Sequence, residues 1–182
     1  MEQVRRRCER WIDSLDIPEP FDVQALCAQV GNRLGRSIYL MTIAIPPGEA
    51  CGLWLDMGSA YVLFVQERTS RLHQDAIALH ELGHVLAANE SDGSGASAGP
   101  PEGVNHQLLR RLVPDVDPTT IRRMLCRSVY TDPGEIEAEM FASWVMARAS
   151  RRTWGPPRTW TPPTPEAHEI ARRLTTTFEY HS

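Results

Sequence analysis

The chain has 182 residues, of which 42% are hydrophobic and 23% charged, and its formal net charge at pH 7 is -4. The length predicts a single domain over 1–182. The composition excludes a chain disordered throughout, a collagen-like repeat and a coiled-coil rod. The net negative charge gives no indication of the basic surface that direct nucleic-acid binding needs. No apolar stretch approaches the ~20 residues that a membrane span needs.

Cysteine usage and the first residues bear on the cellular compartment. The four cysteines are scattered and form no CxxC pair. The arginine-rich start of the chain is not followed by the apolar core of a secretory signal. We therefore expect reduced thiols and a cytoplasmic protein. Cys8 and Cys27 fall on apolar helical stripes, which predicts a role in core packing for both.

The first part of the chain predicts two helices and three strands. Apolar residues recur at helical spacing over 2–15, and Asp22 is placed to cap a second helix that Gly35 ends. Runs rich in branched and aromatic residues predict strands over 38–45, 52–56 and 61–65. The simplest arrangement is an antiparallel meander. Helices must cover one face of it, because so small a sheet is marginal by itself.

The second part of the chain predicts mostly helices. Helical periodicity covers 70–89, and the low-complexity segment 91–103 predicts a flexible insertion. Further helices are expected over 104–112 and from Asp117, and Asp132 with Pro133 predicts the start of a helix reaching about Ala149. The predicted core thus covers about 2–150. A Pro/Trp-rich extension follows over 151–182, with an extended stretch and a last helix.

The residues His80, Glu81 and His84 form an H-E-x-x-H motif inside the predicted helix 70–89. A spacing of four places both imidazoles on one face of a helix, one turn apart. Two such nitrogens can bind one Zn²⁺, and the intervening glutamate can take a proton from a water molecule. The motif therefore predicts a zinc site held by His80 and His84, with Glu81 as the general base.

A catalytic zinc site needs a third protein ligand. The acidic segment that begins the helix after Asp132 offers Glu135, Glu137 and Glu139. Glu137 borders the apolar stripe of that helix, whereas Glu135 is near its start, where a carboxylate often serves only the helix dipole. We therefore expect Glu137 as the third ligand, in a His/His/Glu site. Cys51 is a weaker alternative.

The HELGH motif and the downstream segment E-A-E-M-F-A together resemble the ImmA/IrrE family of metallopeptidase-like proteins, and especially its ParH-like members. The resemblance covers about Ile38 to Met146. It implies a zincin-like α+β fold, with a small antiparallel three-stranded sheet packed against several helices. It implies that the glutamate before the alanine, Glu137, is the third zinc ligand. It also implies a protein partner or substrate that is a helix-turn-helix transcriptional repressor.

The sequence thus predicts a zinc metallopeptidase that hydrolyses a peptide bond in a protein, with a role in regulation. Two alternatives stay open: a non-catalytic zinc-containing module that binds a repressor, and one half of a toxin–antitoxin-like pair. Because zincins bind peptides as an added strand, Tyr61–Val65 is our candidate edge strand. His73 is a candidate for the cleft, and His106 and Tyr130 are candidates for stabilising an oxyanion.

Overall fold

A computed structural model describes residues 1–45, 51–90 and 132–150. Within these ranges no helix combines the length and apolarity needed to cross a membrane. The predicted insertion 91–103, the helices expected after it and the extension 151–182 lie outside the described residues. The described elements are α1 (Glu2–Asp13), α2 (Val23–Leu34), β1 (Ser37–Ile43), β2 (Gly52–Asp56), β3 (Ala60–Gln66), α3 (Arg71–Glu90) and α4 (Asp132–Ala149).

The ends of α2 follow the capping signals in the sequence. The side chain of Asp22 accepts hydrogen bonds from the backbone N–H groups of Gln24 and Ala25. At the other end Gly35 adopts φ 67°, a left-handed conformation that glycine accepts without steric cost. The predicted start and end of this helix are confirmed.

The three strands form one mixed sheet in the order β1-β3-β2. Strand β1 is parallel to β3 and pairs Ser37 with Ala60. Strand β2 is antiparallel to β3 and pairs Gly52 with Val65. The fold is α+β as expected, but the prediction of an all-antiparallel meander is wrong.

Strand β3 is at the centre of the described sheet. All residues of Tyr61–Val65 are buried. Backbone groups that are buried need hydrogen-bond partners on both sides, and a central position provides them. In a meander, β3 would instead lie at an edge. The prediction that Tyr61–Val65 is an edge strand is therefore also wrong, and the described edges are β1 and β2.

Helices α2 and α3 pack on one face of the sheet, and the main core lies between them. Alternate strand residues such as Trp54 and Leu63 meet Leu79 and Leu82 of α3 there. Cys8 and Cys27 are buried in the same core, as predicted. Burial raises the pKa of the Cys27 thiol to about 12, so this residue is an inert packing group.

Helix α4 crosses α3 at very short range. A Cβ atom placed on Gly83 would lie 2.8 Å from Cα of Ala138 and 3.3 Å from its Cβ. The two backbones therefore approach as closely as they do only because residue 83 has no side chain. On its other side α4 packs against α1, where Trp11 meets Phe141 edge to face with ring centroids 6.0 Å apart.

Replacing Gly83 by alanine should destabilise the protein. Overpacking against a helix backbone costs about 1–3 kcal/mol, which exceeds the gain of up to about 1 kcal/mol from replacing a mid-helix glycine. We expect a lower midpoint in urea unfolding, whereas Ala88→Ser, at an exposed position of the same helix, should change it little. A Gly83→Ala protein as stable as the wild type would contradict the close crossing.

Candidate metal centre

His80 and His84 lie one turn apart on α3, as the motif predicts. Their Nε2 atoms are 3.0 Å apart, and the two rings meet edge to face. The His84 side chain is 5% exposed and that of His80 is 25% exposed. The pair therefore presents two nitrogens to one point at the margin of the core.

A carboxylate from α4 completes a three-residue group, and it belongs to Glu135. Its Oε2 lies 3.3 Å from Nε2 of His80, and its Oε1 lies 3.3 Å from Nε2 of His84. One donor atom from each of the three residues lies within 4.8 Å of the others. Among the described residues, this is where histidine and acidic side chains converge as they would around a cation.

Glu137, the glutamate expected as third ligand, lies elsewhere. Its carboxylate is paired with the guanidinium of Arg7 on α1, with Nη1 at 3.0 Å from Oε1 and 3.1 Å from Oε2. Its backbone oxygen accepts a hydrogen bond from the Cys8 thiol at 3.5 Å. Glu137 therefore faces α1, and the structure brings Glu135 to the histidines in its place.

The helix crossing explains which glutamate reaches the histidines. Ala138 faces Gly83, which lies three residues after His80 and one before His84. Glu135 is three residues before Ala138 and so lies on the same face of α4, one turn away. Glu137 is rotated by about 100° from Ala138. The small residues at 83 and 138 are the sequence signal for this arrangement, which the apolar stripe of α4 by itself does not reveal.

Burial adjusts the ionisation of the group. Burial, with a smaller contribution from the nearby His80, lowers the pKa of His84 to about 3. Burial also lowers the pKa of His80, against the opposing effect of the Glu139 carboxylate. Both imidazoles are therefore neutral at pH 7, which is the form that binds metal ions.

Glu135 is the acidic member of the group. Burial and the neighbouring carboxylate of Glu139 raise its pKa. Its Oε1 is buried and accepts no hydrogen bond from the described residues. A buried oxygen beside two neutral imidazoles is stabilised by a cation, so the three side chains fit a divalent metal ion.

Glu81 is buried next to this group, with 3% of its surface exposed. Its carboxylate points towards the start of β2, since Oε1 would lie 2.6 Å from a Cβ atom built on Gly52. Cys51, the alternative ligand, is exposed and does not belong to the group that surrounds the histidines.

The remaining candidates from the sequence are not part of the described group. His73 is exposed near the start of α3, where its Nδ1 lies 2.8 Å from Oγ1 of Thr69. His106 and Tyr130 lie outside the described residues. The structure thus brings together His80, His84 and Glu135, and places Glu81 beside them.

Comparisons with known proteins give no match for this chain. No protein-family model matches it. Neither the curated proteins nor the solved structures give a significant match. The resemblance to the ImmA/IrrE family therefore rests on the motif residues alone.

Replacing Arg7 by alanine should destabilise the protein, because the buried Glu137 carboxylate loses its partner. A charged group left buried costs about 1–3 kcal/mol or more. Exposed Arg6, paired with Glu2 at 2.9 Å, provides the matched control: Arg6→Ala should cost no more than about 1 kcal/mol. Equal effects of the two substitutions would contradict the pairing of Arg7 with a buried carboxylate.

The Arg7→Ala penalty should also depend on pH. Burial already raises the pKa of Glu137, and Arg7 opposes this shift, so its removal raises the pKa further. A carboxyl group whose pKa is higher in the folded than in the unfolded state destabilises the fold only at pH values at which it is ionised. The penalty should be full at pH 7 and should shrink towards pH 4.5, as urea unfolding at several pH values would measure.

Proposed function

We propose that this protein is a metal-dependent peptidase with a zinc ion held by His80, His84 and Glu135. The observation that carries the proposal is the convergence of these three side chains from two crossing helices. Two histidines and one glutamate form a typical ligand set of catalytic zinc in peptidases. Glu81 of the H-E-x-x-H motif is buried beside the group, and it supplies the general base that such a reaction needs.

Each residue of the site has its own role in the proposed reaction. Zn²⁺ in such a site supplies Lewis acidity and lowers the pKa of a bound water to about 7. Glu81 takes the proton from the attacking water and passes it to the nitrogen of the leaving amine. His80, His84 and Glu135 keep the metal in place, and α3 and α4 keep the three ligands rigid because both helices are packed in the core.

A zinc-containing module that only binds its partner is the second candidate. Structural zinc sites are closed by four protein ligands, whereas catalytic sites have three and an open position. The described part of the chain brings three candidate ligands to this point, and Glu81 of the motif is buried beside them. A proton acceptor at this place supports a peptidase over a module that only binds.

The class of substrate is proposed on the resemblance alone. The HELGH motif and the E-A-E-M-F-A segment resemble the ImmA/IrrE family, whose typical members act on helix-turn-helix repressors. In that scheme the partner is a protein and the chain itself does not contact nucleic acid, which its net charge of -4 supports.

Metal content tests the ligand set. Purified wild-type protein should contain about one zinc ion per chain by elemental mass spectrometry. Glu135→Gln should weaken zinc binding by more than about 100-fold, because loss of a direct ligand costs more than loss of its supporting contacts. Glu137→Gln is the matched control two residues away, and it should retain the metal.

Two outcomes would contradict this ligand set. A wild-type protein that binds no zinc when zinc is supplied would remove the metal site. Zinc lost from Glu137→Gln but retained in Glu135→Gln would make Glu137 the ligand, as the sequence motif implied.

Catalysis is tested separately from metal binding. Glu81→Gln should retain zinc while its cleavage of a proteome-derived peptide library falls by about 10²–10⁴-fold, because the amide cannot accept the proton. New peptide ends counted by mass spectrometry measure the cleavage. Unchanged cleavage by Glu81→Gln would rule out its role as general base.

A further inference from the structure

Gly52, the first residue of β2, lies against the side chain of the proposed general base. A Cβ atom built on it would be 2.6 Å from Oε1 and 3.2 Å from Cδ of Glu81. It would also be 2.5 Å from Cγ2 of Ile77, one turn earlier on α3. Real Cβ atoms do not approach other heavy atoms so closely, so any larger residue at position 52 must displace a neighbour.

The backbone does not explain why this residue is glycine. The described glycines with positive φ are Gly35 and Gly58. Gly52 is not among them, and it pairs regularly with Val65 in the sheet. Its backbone conformation is therefore one that other residues adopt, and what position 52 requires is the missing side chain.

Of the two neighbours, Glu81 is the one that would move. Ile77 is buried and β-branched, and a β-branched side chain in a helix has one strongly preferred rotamer. Its Cγ2 is joined directly to Cβ, so it moves only if the side chain leaves that rotamer or the helix shifts. The Glu81 carboxylate stands at the end of three rotatable bonds. A methyl group at position 52 would therefore push the carboxylate of Glu81 out of its place.

We propose that Gly52 is a positioning residue for Glu81: its lack of a side chain lets the edge strand and the carboxylate of the general base lie in direct contact. This inference rests on the proposed peptidase function. It adds that the distance between the β2 backbone and Glu81 is set at Gly52. The carboxylate is thereby held in one place beside the metal ligands, which are not themselves involved.

A comparison of Gly52→Ala with Cys51→Ala tests the proposal. Cys51 is the neighbouring residue and is exposed, and its replacement leaves the backbone bond to Gln66 intact. Both variants should contain as much zinc as the wild type. Cleavage of the peptide library should fall by more than about tenfold in Gly52→Ala, as expected for a displaced proton acceptor, and stay unchanged in Cys51→Ala.

A double-mutant cycle in urea unfolding gives a readout that does not depend on activity. The loss in the folding equilibrium constant caused by Gly52→Ala should be at least about fivefold smaller when Glu81 is already alanine. The same cycle with Ile77→Ala measures the coupling between position 52 and the core residue Ile77. Coupling to Ile77 alone, with cleavage retained in Gly52→Ala, would overturn the proposal and make Gly52 a packing residue.

The two proposals fail in different ways. If the wild-type protein binds no zinc, the peptidase proposal fails, while the coupling between positions 52 and 81 is still measured. If zinc is bound and Glu81→Gln abolishes cleavage, but Gly52→Ala is fully active, the peptidase proposal stands and the positioning role of Gly52 is wrong.

Discussion

The close crossing of α3 and α4 is the contact on which the candidate site depends. At Gly83 and Ala138 the two helix backbones approach to a distance that no side chain at position 83 would allow. Because residues three or four apart share a helix face, this one contact fixes what lies one turn away on each helix. It brings Glu135 to His80 and His84. The small residues at the helix crossing thus determine which polar side chains meet one turn away.

The partners of the acidic side chains distinguish Glu135 from three buried carboxylates. Three buried carboxylates face arginine side chains: Glu137 with Arg7, Asp56 with Arg36, and Asp75 with Arg71. Such pairs offset the cost of burying a charge. Glu135 faces two neutral histidines instead, and one of its oxygens is buried without a hydrogen bond from the described residues. A cation would provide there what arginine provides elsewhere.

The sheet contributes to the site through its strand order. With β3 in the centre, β2 lies at an edge, and its first residue touches the carboxylate of Glu81. A meander would have placed β3 at the edge instead. The strand order that gives β3 a partner on each side therefore also brings the first residue of β2 to the proposed general base.

Local signals in the sequence were enough for the four described helices and for part of the site. The cap at Asp22, the stop at Gly35 and the pairing of His80 with His84 depend on neighbours within one or two turns, so spacing determines them. The order of the strands, and which of Glu135 and Glu137 lies beside the histidines, were decided by tertiary structure. The rotation of α4 about its own axis is set by simultaneous packing against α1 and α3, and no local periodicity contains that information.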